Sequence, residues 1–293
     1  MSSLEPTSMP SIHGCKTFHV QVRAKTKESK MRLKFAIFTA SLIMFSGSAF
    51  AVNICGGQTS TGNPMPCCDN GGNCTWWGWK QANDANWPDI PTGNANTWGV
   101  TAASKPTFYN VSKTPTPGAI GVKNSSPYTC IINGKSVKNG CDTGHVAYIT
   151  RVNKDKKGNI TDIDTTQMAC GGSYGVSNNN RKIDYFDSYI TPKNLDGEMA
   201  TAKNCSGTIV ATTVDKSGNK LNLYWSSSCK TNWAQAVGKT SSLMLTATIT
   251  RSRDNKSYQT NGFGVATSAM VQGNGVACAT GKASGLDFQR ICK

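Results

Sequence analysis

The clearest two-residue alternation in the chain lies at residues 144–152, Gly-His-Val-Ala-Tyr-Ile-Thr-Arg-Val. It predicts a strand with Val146, Tyr148 and Thr150 on one face and His145, Ala147 and Ile149 on the other. After a basic turn at 154–159 the pattern resumes at 160–168, a second strand antiparallel to the first. Residues 171–180 show no period and are expected to form a loop, with a last strand at 181–190. Upstream, Pro115-Thr116-Pro117-Gly118 is a turn before a short strand at 119–122, and 98–104 reads as helical. Residues 55–69, rich in Gly, Pro, Thr and Ser, read as a loop. The stretch 71–79 sets Cys74 among glycines and three tryptophans. The Lys80, Gln81, Ala82, Asn83, Asp84 and Ala85 that follow fit a short polar-faced helix.

Past Pro192-Lys193-Asn194-Leu195-Asp196-Gly197 aromatics thin out and Thr, Ser and Lys increase. Residues 208–214 and 221–225 read as strands joined by Lys216-Ser217-Gly218-Asn219, and 243–250 and 258–266 suggest two more. At the other end, 31–51 has the plan of a secretory signal peptide. Arg32 and Lys34 precede an apolar run at 35–45, and Ala49-Phe50-Ala51 is a small-x-small cleavage site. Residues 1–30 are polar and basic; they read as a mis-called start, with a long leader extension as the alternative. The expected layout is therefore a leader, one unit at 52–197 and a second at 201–293. No membrane span is expected once the signal is removed.

Eleven cysteines follow the signal peptide: Cys55, Cys67, Cys68, Cys74, Cys130, Cys141, Cys170, Cys205, Cys229, Cys278 and Cys292. An oxidising compartment favours pairing, yet eleven is odd, so at least one thiol is left over. Cys130 and Cys141 flank an Asn133-Gly134-Lys135 hairpin signal, which points to a local bridge. Cys74 reads either as half of a disulfide or as a nucleophile. At a helix start the backbone dipole favours the thiolate, which is the reactive form. His145 is the one histidine after the signal peptide, so a Cys–His pair can only be Cys74 with His145. There is no Cys-x-x-Cys and too little histidine for zinc, so no metal and no cofactor is expected.

Four stretches together resemble the CHAP domain, a cysteine- and histidine-dependent amidohydrolase/peptidase module. They are Gly72-Asn73-Cys74-Thr75-Trp76-Trp77, residues 93–98, residues 115–120 and Gly144-His145-Val146-Ala147. The resemblance implies a papain-like α+β fold, with the cysteine on a helix packed against an antiparallel sheet that bears the histidine. It implies hydrolysis of an amide or peptide bond of peptidoglycan, with Cys74 as nucleophile and His145 as base. That family usually places an acidic residue on the next strand to orient the histidine. Here Gln167 stands in that place, and its carboxamide oxygen can accept the imidazole N–H. Asp164, three residues earlier, points to the other face and is the weaker candidate. The backbone N–H of Cys74 and the Asn73 side chain are candidate oxyanion donors. Of the tryptophans, one or two, Trp77 among them, could line a substrate groove.

In the second unit, Leu223-x-Trp225-Ser226 with Cys229 and Trp233-Ala234 resembles a small uncharacterised domain of secreted bacterial proteins. The resemblance suggests a Cys205–Cys229 bridge, leaving Cys278–Cys292, in a β-rich, disulfide-stapled domain. Charge divides unevenly. Residues 52–200 hold thirteen Lys/Arg against eleven Asp/Glu, a net of +2; residues 201–293 hold eleven against three, a net of +8. A basic unit on a near-neutral one suggests peptidoglycan or another anionic cell-envelope polymer as partner, or simply solubility. No basic-aromatic motif supports nucleic acid. The expectation is a secreted, monomeric bacterial cell-wall hydrolase in the periplasm or outside the cell. The alternative is a non-catalytic envelope-binding protein that keeps a degenerate CHAP fold.

Overall fold

The computed structural model describes residues 52–67, 72–125, 129–132, 135–138, 143–169 and 175–293. The expected signal peptide and the expected Cys130–Cys141 bridge lie outside the described residues. What is described is mostly β-sheet, with few helices and with disulfides.

The chain opens on a hairpin, β1 Val52–Cys55 and β2 Gln58–Thr61, where the composition suggested only loop. Gly56 and Gly57 both have positive φ, +54° and +75°, the conformation that a two-residue turn between twisted strands requires. A Cys55–Cys67 disulfide ties this hairpin to the segment leading into α1, Cys74–Asp84. Helix α2, Trp98–Ala103, follows. Next come β3 Tyr109–Ser112, β4 Ile120–Lys123, a separate hairpin of β5 Thr129–Ile132 with β6 Lys135–Lys138, and then β7 His145–Lys154 and β8 Ile160–Gln167. The region closes with β9 Ser177–Arg181 and β10 Ser188–Pro192.

Six of these strands form one antiparallel sheet in the order β3-β10-β4-β7-β8-β9. The end of this region departs from expectation. The end of the expected loop, together with Arg181, forms the edge strand β9, and the expected strand at 181–190 is interrupted by a helical turn, Ile183–Tyr185. The Ser-Asn-Asn-Asn-Arg of β9 carries no apolar alternation, because the edge strand is held through its backbone pairing to β8.

Both faces of the sheet are covered. On one, Val146 of β7 joins Ala82, Trp98, Ala102 and Ile190 in a core beneath the helices. On the other, Ala147, Ile149 and Ile163 pack with Phe186 and Tyr189. Gly78 lets α1 sit close, since a β-carbon there would lie 3.2 Å from a Val146 methyl.

From Thr208 onward two five-stranded antiparallel sheets face each other. Leu221, Leu223, Ala234 and Ala236 of one pack against Leu245, Ala247, Ile249 and Ala279 of the other. Disulfides Cys205–Cys229 and Cys278–Cys292 staple this sandwich at its start and end. The described residues from Val52 on fall in a single compact unit, and the junction is well bonded. The Asp89 N–H donates to the Ser228 carbonyl, and the Gln272 side chain bridges the Leu195 N–H and the Asn86 carbonyl. Among the described residues no helix is long and apolar enough to cross a membrane.

Candidate active site

Helix α1 begins at Cys74 because Asn73 caps it. Asn73 is extended (φ −159°, ψ 128°), and its Oδ1 accepts from the Thr75 N–H at 2.9 Å and the Thr75 hydroxyl at 2.7 Å. Its Nδ2 donates to the Pro66 carbonyl at 2.7 Å. The carboxamide is thereby committed to the cap and to the preceding loop. Gly72 permits the approach: a β-carbon there would lie 2.5 Å from the Ala169 carbonyl oxygen, just past the end of β8.

Cys74 is the free thiol among the described cysteines and is half-buried. Backbone N–H groups of Val146, Thr75 and Cys74 itself are directed at its sulfur. Val146 directly follows His145, so the helix start meets the start of β7 at the histidine. Burial pushes the Cys74 thiol up from its ordinary range, and the three N–H groups partly offset this.

His145 is fully buried at the first position of β7. Gly144 makes that entry possible, with φ +69° and no room for a side chain: a β-carbon would lie 2.5 Å from Asn96 N and 2.6 Å from the Lys123 carbonyl oxygen. His145 Nε2 lies 2.8 Å from Gln167 Oε1. An accepting oxygen there fixes the proton on Nε2 and leaves the basic lone pair on Nδ1. Burial lowers the His145 pKa to about 4; the Gln167 bond acts the other way, and Arg181 and Lys123 lower it further. Burial thus acts on both groups in the same sense, favouring the neutral thiol and the neutral imidazole.

Gln167 is itself buried at the end of β8. Its neighbour Thr166 faces the helix and accepts the Trp77 indole N–H at 3.1 Å. Trp77 is buried, so it braces α1 against β8 rather than lining an open groove. Trp76 is fully buried as well. Asp164 lies on the other face from Gln167, where Arg151 holds it at 2.7 Å and Asn180 at 2.9 Å. The Trp77–Thr166 brace and the cations Lys123 and Arg181 were not singled out from the sequence: the partners of Trp77 and Lys123 are distant along the chain, and no local pattern marks Arg181 with Asn179 and Tyr185.

Residues 62–166 match the family model of the CHAP domain. The chain therefore carries a CHAP domain over these residues, a hydrolase type associated with peptidoglycan amidases and peptidases. The matched span contains Cys74 and His145 and ends one residue before Gln167. No curated protein and no solved structure matches the chain.

Proposed function

We propose that this protein is a secreted cell-wall hydrolase that cleaves an amide or peptide bond of peptidoglycan through Cys74 and His145, on a papain-like arrangement of helix and sheet. The observation that carries the reading is the unpaired Cys74 thiol at the start of α1, met by the backbone of Val146 beside a histidine held by Gln167. His145 Nδ1 takes the thiol proton as the sulfur attacks the amide carbonyl. The tetrahedral oxyanion is stabilised by the Cys74 backbone N–H. His145 then passes the proton to the leaving amine, a thioester forms, and water activated by the same imidazole hydrolyses it. Gln167 acts as a positioning residue that fixes the tautomer.

The neutral pair that burial favours has a consequence for rate. No thiolate is stored in the free enzyme, so proton transfer accompanies attack. Export follows from the signal peptide read at 31–51 and agrees with the disulfides. The basic C-terminal half is assigned to holding the protein on the anionic envelope.

Mass spectrometry of muropeptides after digestion of purified walls tests the reading, because it reports activity and the bond together. The full chain is expected to release defined fragments, and Cys74→Ala and His145→Ala to release none. A wild-type protein that leaves walls intact while still binding them supports the alternative, a degenerate CHAP fold kept for binding.

A further inference from the structure

On the sheet face that carries His145 and Gln167, two cations close on one aromatic ring. Lys123 is the register partner of His145 across β4 and β7. Its Nζ lies 5.0 Å from the centre of the Tyr185 ring and donates to the Tyr185 carbonyl at 3.0 Å. Arg181, at the end of β9, places its guanidinium carbon 4.7 Å from the same ring centre. Its Nη2 reaches the Asn179 side-chain oxygen at 3.3 Å, while its Nε is buried without a hydrogen-bond partner. Neither cation forms an ion pair with a described carboxylate. The nearby acids are engaged elsewhere or exposed: Asp187 accepts from the Asn124 N–H at 2.6 Å, and Asp184 lies on the surface.

Two half-buried cations beside a catalytic imidazole carry an electrostatic cost, because each opposes protonation of His145. A buried guanidinium donor without an acceptor adds a second cost. The Tyr185 ring offsets part of the charge by cation–π contact but supplies no acceptor for the Arg181 Nε. Both costs are relieved at once if an anion enters beside the site during the reaction.

We infer that Lys123 and Arg181 form a carboxylate subsite that selects substrates with a free carboxylate next to the scissile amide. This rests on the peptidoglycan reading, in which the stem peptide carries free α-carboxylates that some walls convert to amides. A carboxylate held by the Arg181 fork and by Lys123 gains charge-assisted hydrogen bonds. It also screens the two positive charges from His145, so the imidazole becomes a better proton acceptor when the correct substrate is bound. Specificity and base strength are then coupled through one ion.

The test uses the full chain with Cys74→Ala, so that substrate binds without turnover. The probes are L-alanyl-γ-D-glutamyl-L-lysine and the same peptide with its α-carboxyl amidated, titrated by calorimetry. The free acid is expected to bind about tenfold or more tighter than the amide, the equivalent of one charge-assisted contact. Adding Arg181→Gln or Lys123→Met should bring that ratio to about one, and Arg181→Lys should restore part of it, as the retained charge requires. Equal binding of the two peptides, no binding of either, or a preference that survives both substitutions would overturn the proposal. In the Cys74 background, kcat as well as KM should worsen for the free-acid substrate in Arg181→Gln, since base strength is coupled to the ion. A preference in the Cys74→Ala protein alongside an inert wild type would sink the hydrolase reading and leave the carboxylate subsite standing.

Discussion

Gln167 Oε1 lies 2.8 Å from His145 Nε2, a carboxamide where an anionic side chain would do the same job with a charge. Both side chains are buried, so the bond is protected from competing water. It fixes the tautomer and raises the His145 pKa, but burial, helped by Arg181 and Lys123, outweighs it and holds the pKa at about 4.

Gln167→Ala is therefore expected to cut wall hydrolysis roughly tenfold to a thousandfold while the fold survives. Gln167→Glu should keep or raise turnover, because a carboxylate accepts the same bond and favours the protonated ring. Turnover of both variants on one wall preparation, with circular dichroism as the control for folding, makes the comparison. If Gln167→Ala behaves as wild type, the positioning role is lost. An inert wild type that Gln167→Glu switches on would identify a degenerate enzyme.

Acid should act on stability through the same histidine. His145 has its pKa lowered from 6.5 to about 4, so between those values the unfolded chain binds a proton that the folded chain refuses. Folded-state stability is then unaffected by this group above pH 6.5 and falls as pH drops through the window, by at most about 3 kcal/mol. Urea midpoints at pH 7 and pH 4.5 should differ more for the wild type than for His145→Gln, which cannot take up the proton. Activity should persist down to the same low value, with kcat/KM halving near pH 4 instead of near 6.5. Identical pH slopes for the two proteins would show that His145 titrates normally.

The thiol offers an independent readout. Denatured without reductant, the protein should take up alkylating reagent on Cys74, identified by peptide mapping. In the native state the reaction should be slow at pH 7 and accelerate in alkali, because burial keeps the thiol protonated. Label on Cys205, Cys229, Cys278 or Cys292 would contradict the disulfides of the C-terminal sandwich.

How far the sequence reaches depends on whether a feature is local. The start of α1 is written in Asn73 and the glycines before Cys74, and the alternation at 144–152 places His145 and Val146 on opposite faces of β7. Two-residue periodicity also separates Gln167 from Asp164 on β8. Edge strand β9 was not legible, because its polar residues carry no period and its place is set by pairing to β8. The partners of Trp77, Lys123 and Arg181 were hidden for a related reason. Trp77 and Lys123 meet partners far along the chain, Arg181 meets Asn179 and Tyr185 where β9 gives way to a helical turn, and tertiary packing chooses among many equivalent polar or aromatic side chains. Asn73 shows a local signal with two uses: an asparagine before a helical cysteine fits an oxyanion donor and a helix cap equally well, and the bonds to Thr75 and Pro66 commit it to the cap.

Charge gives a prediction for the C-terminal half, which carries a net of +8. The full chain with Cys74→Ala should bind isolated walls, with retention falling steeply as salt rises from about 0.05 to 0.5 M. Retention that ignores salt would assign the charge to solubility instead.

The junction itself is the place for the last test. Asp196 sits between the two parts with 5% of its side chain exposed, and Arg251 pairs with it at 2.9 Å with 6% exposed. The same carboxylate accepts the Gln272 N–H at 2.5 Å and meets Lys256 at 3.1 Å, and these bonds hold its pKa low against the effect of burial. Removing the acid leaves a buried guanidinium held by Asp254 and the Gln272 carbonyl, and loss of one partner from a buried pair typically costs about 3–5 kcal/mol. Asp196→Ala should therefore lower the melting temperature by several degrees, and Asp196→Asn by less, since an amide still accepts hydrogen bonds. The informative point is where the loss appears. If the sheet bearing His145 and the C-terminal sandwich melt as one cooperative unit, calorimetry should show a single transition that shifts as a whole, with Cys74 becoming labelled at that same temperature. If the transition splits and Cys74 stays protected while the sandwich melts, the junction is a tether, and cutting near Gly197 should release two pieces that each fold. A single transition in the wild type that splits in Asp196→Ala would assign the coupling to this one carboxylate. An unchanged melting curve in Asp196→Ala would show that the ion pair contributes nothing net, and the coupling would have to rest on the Gln272 and Ser228 contacts.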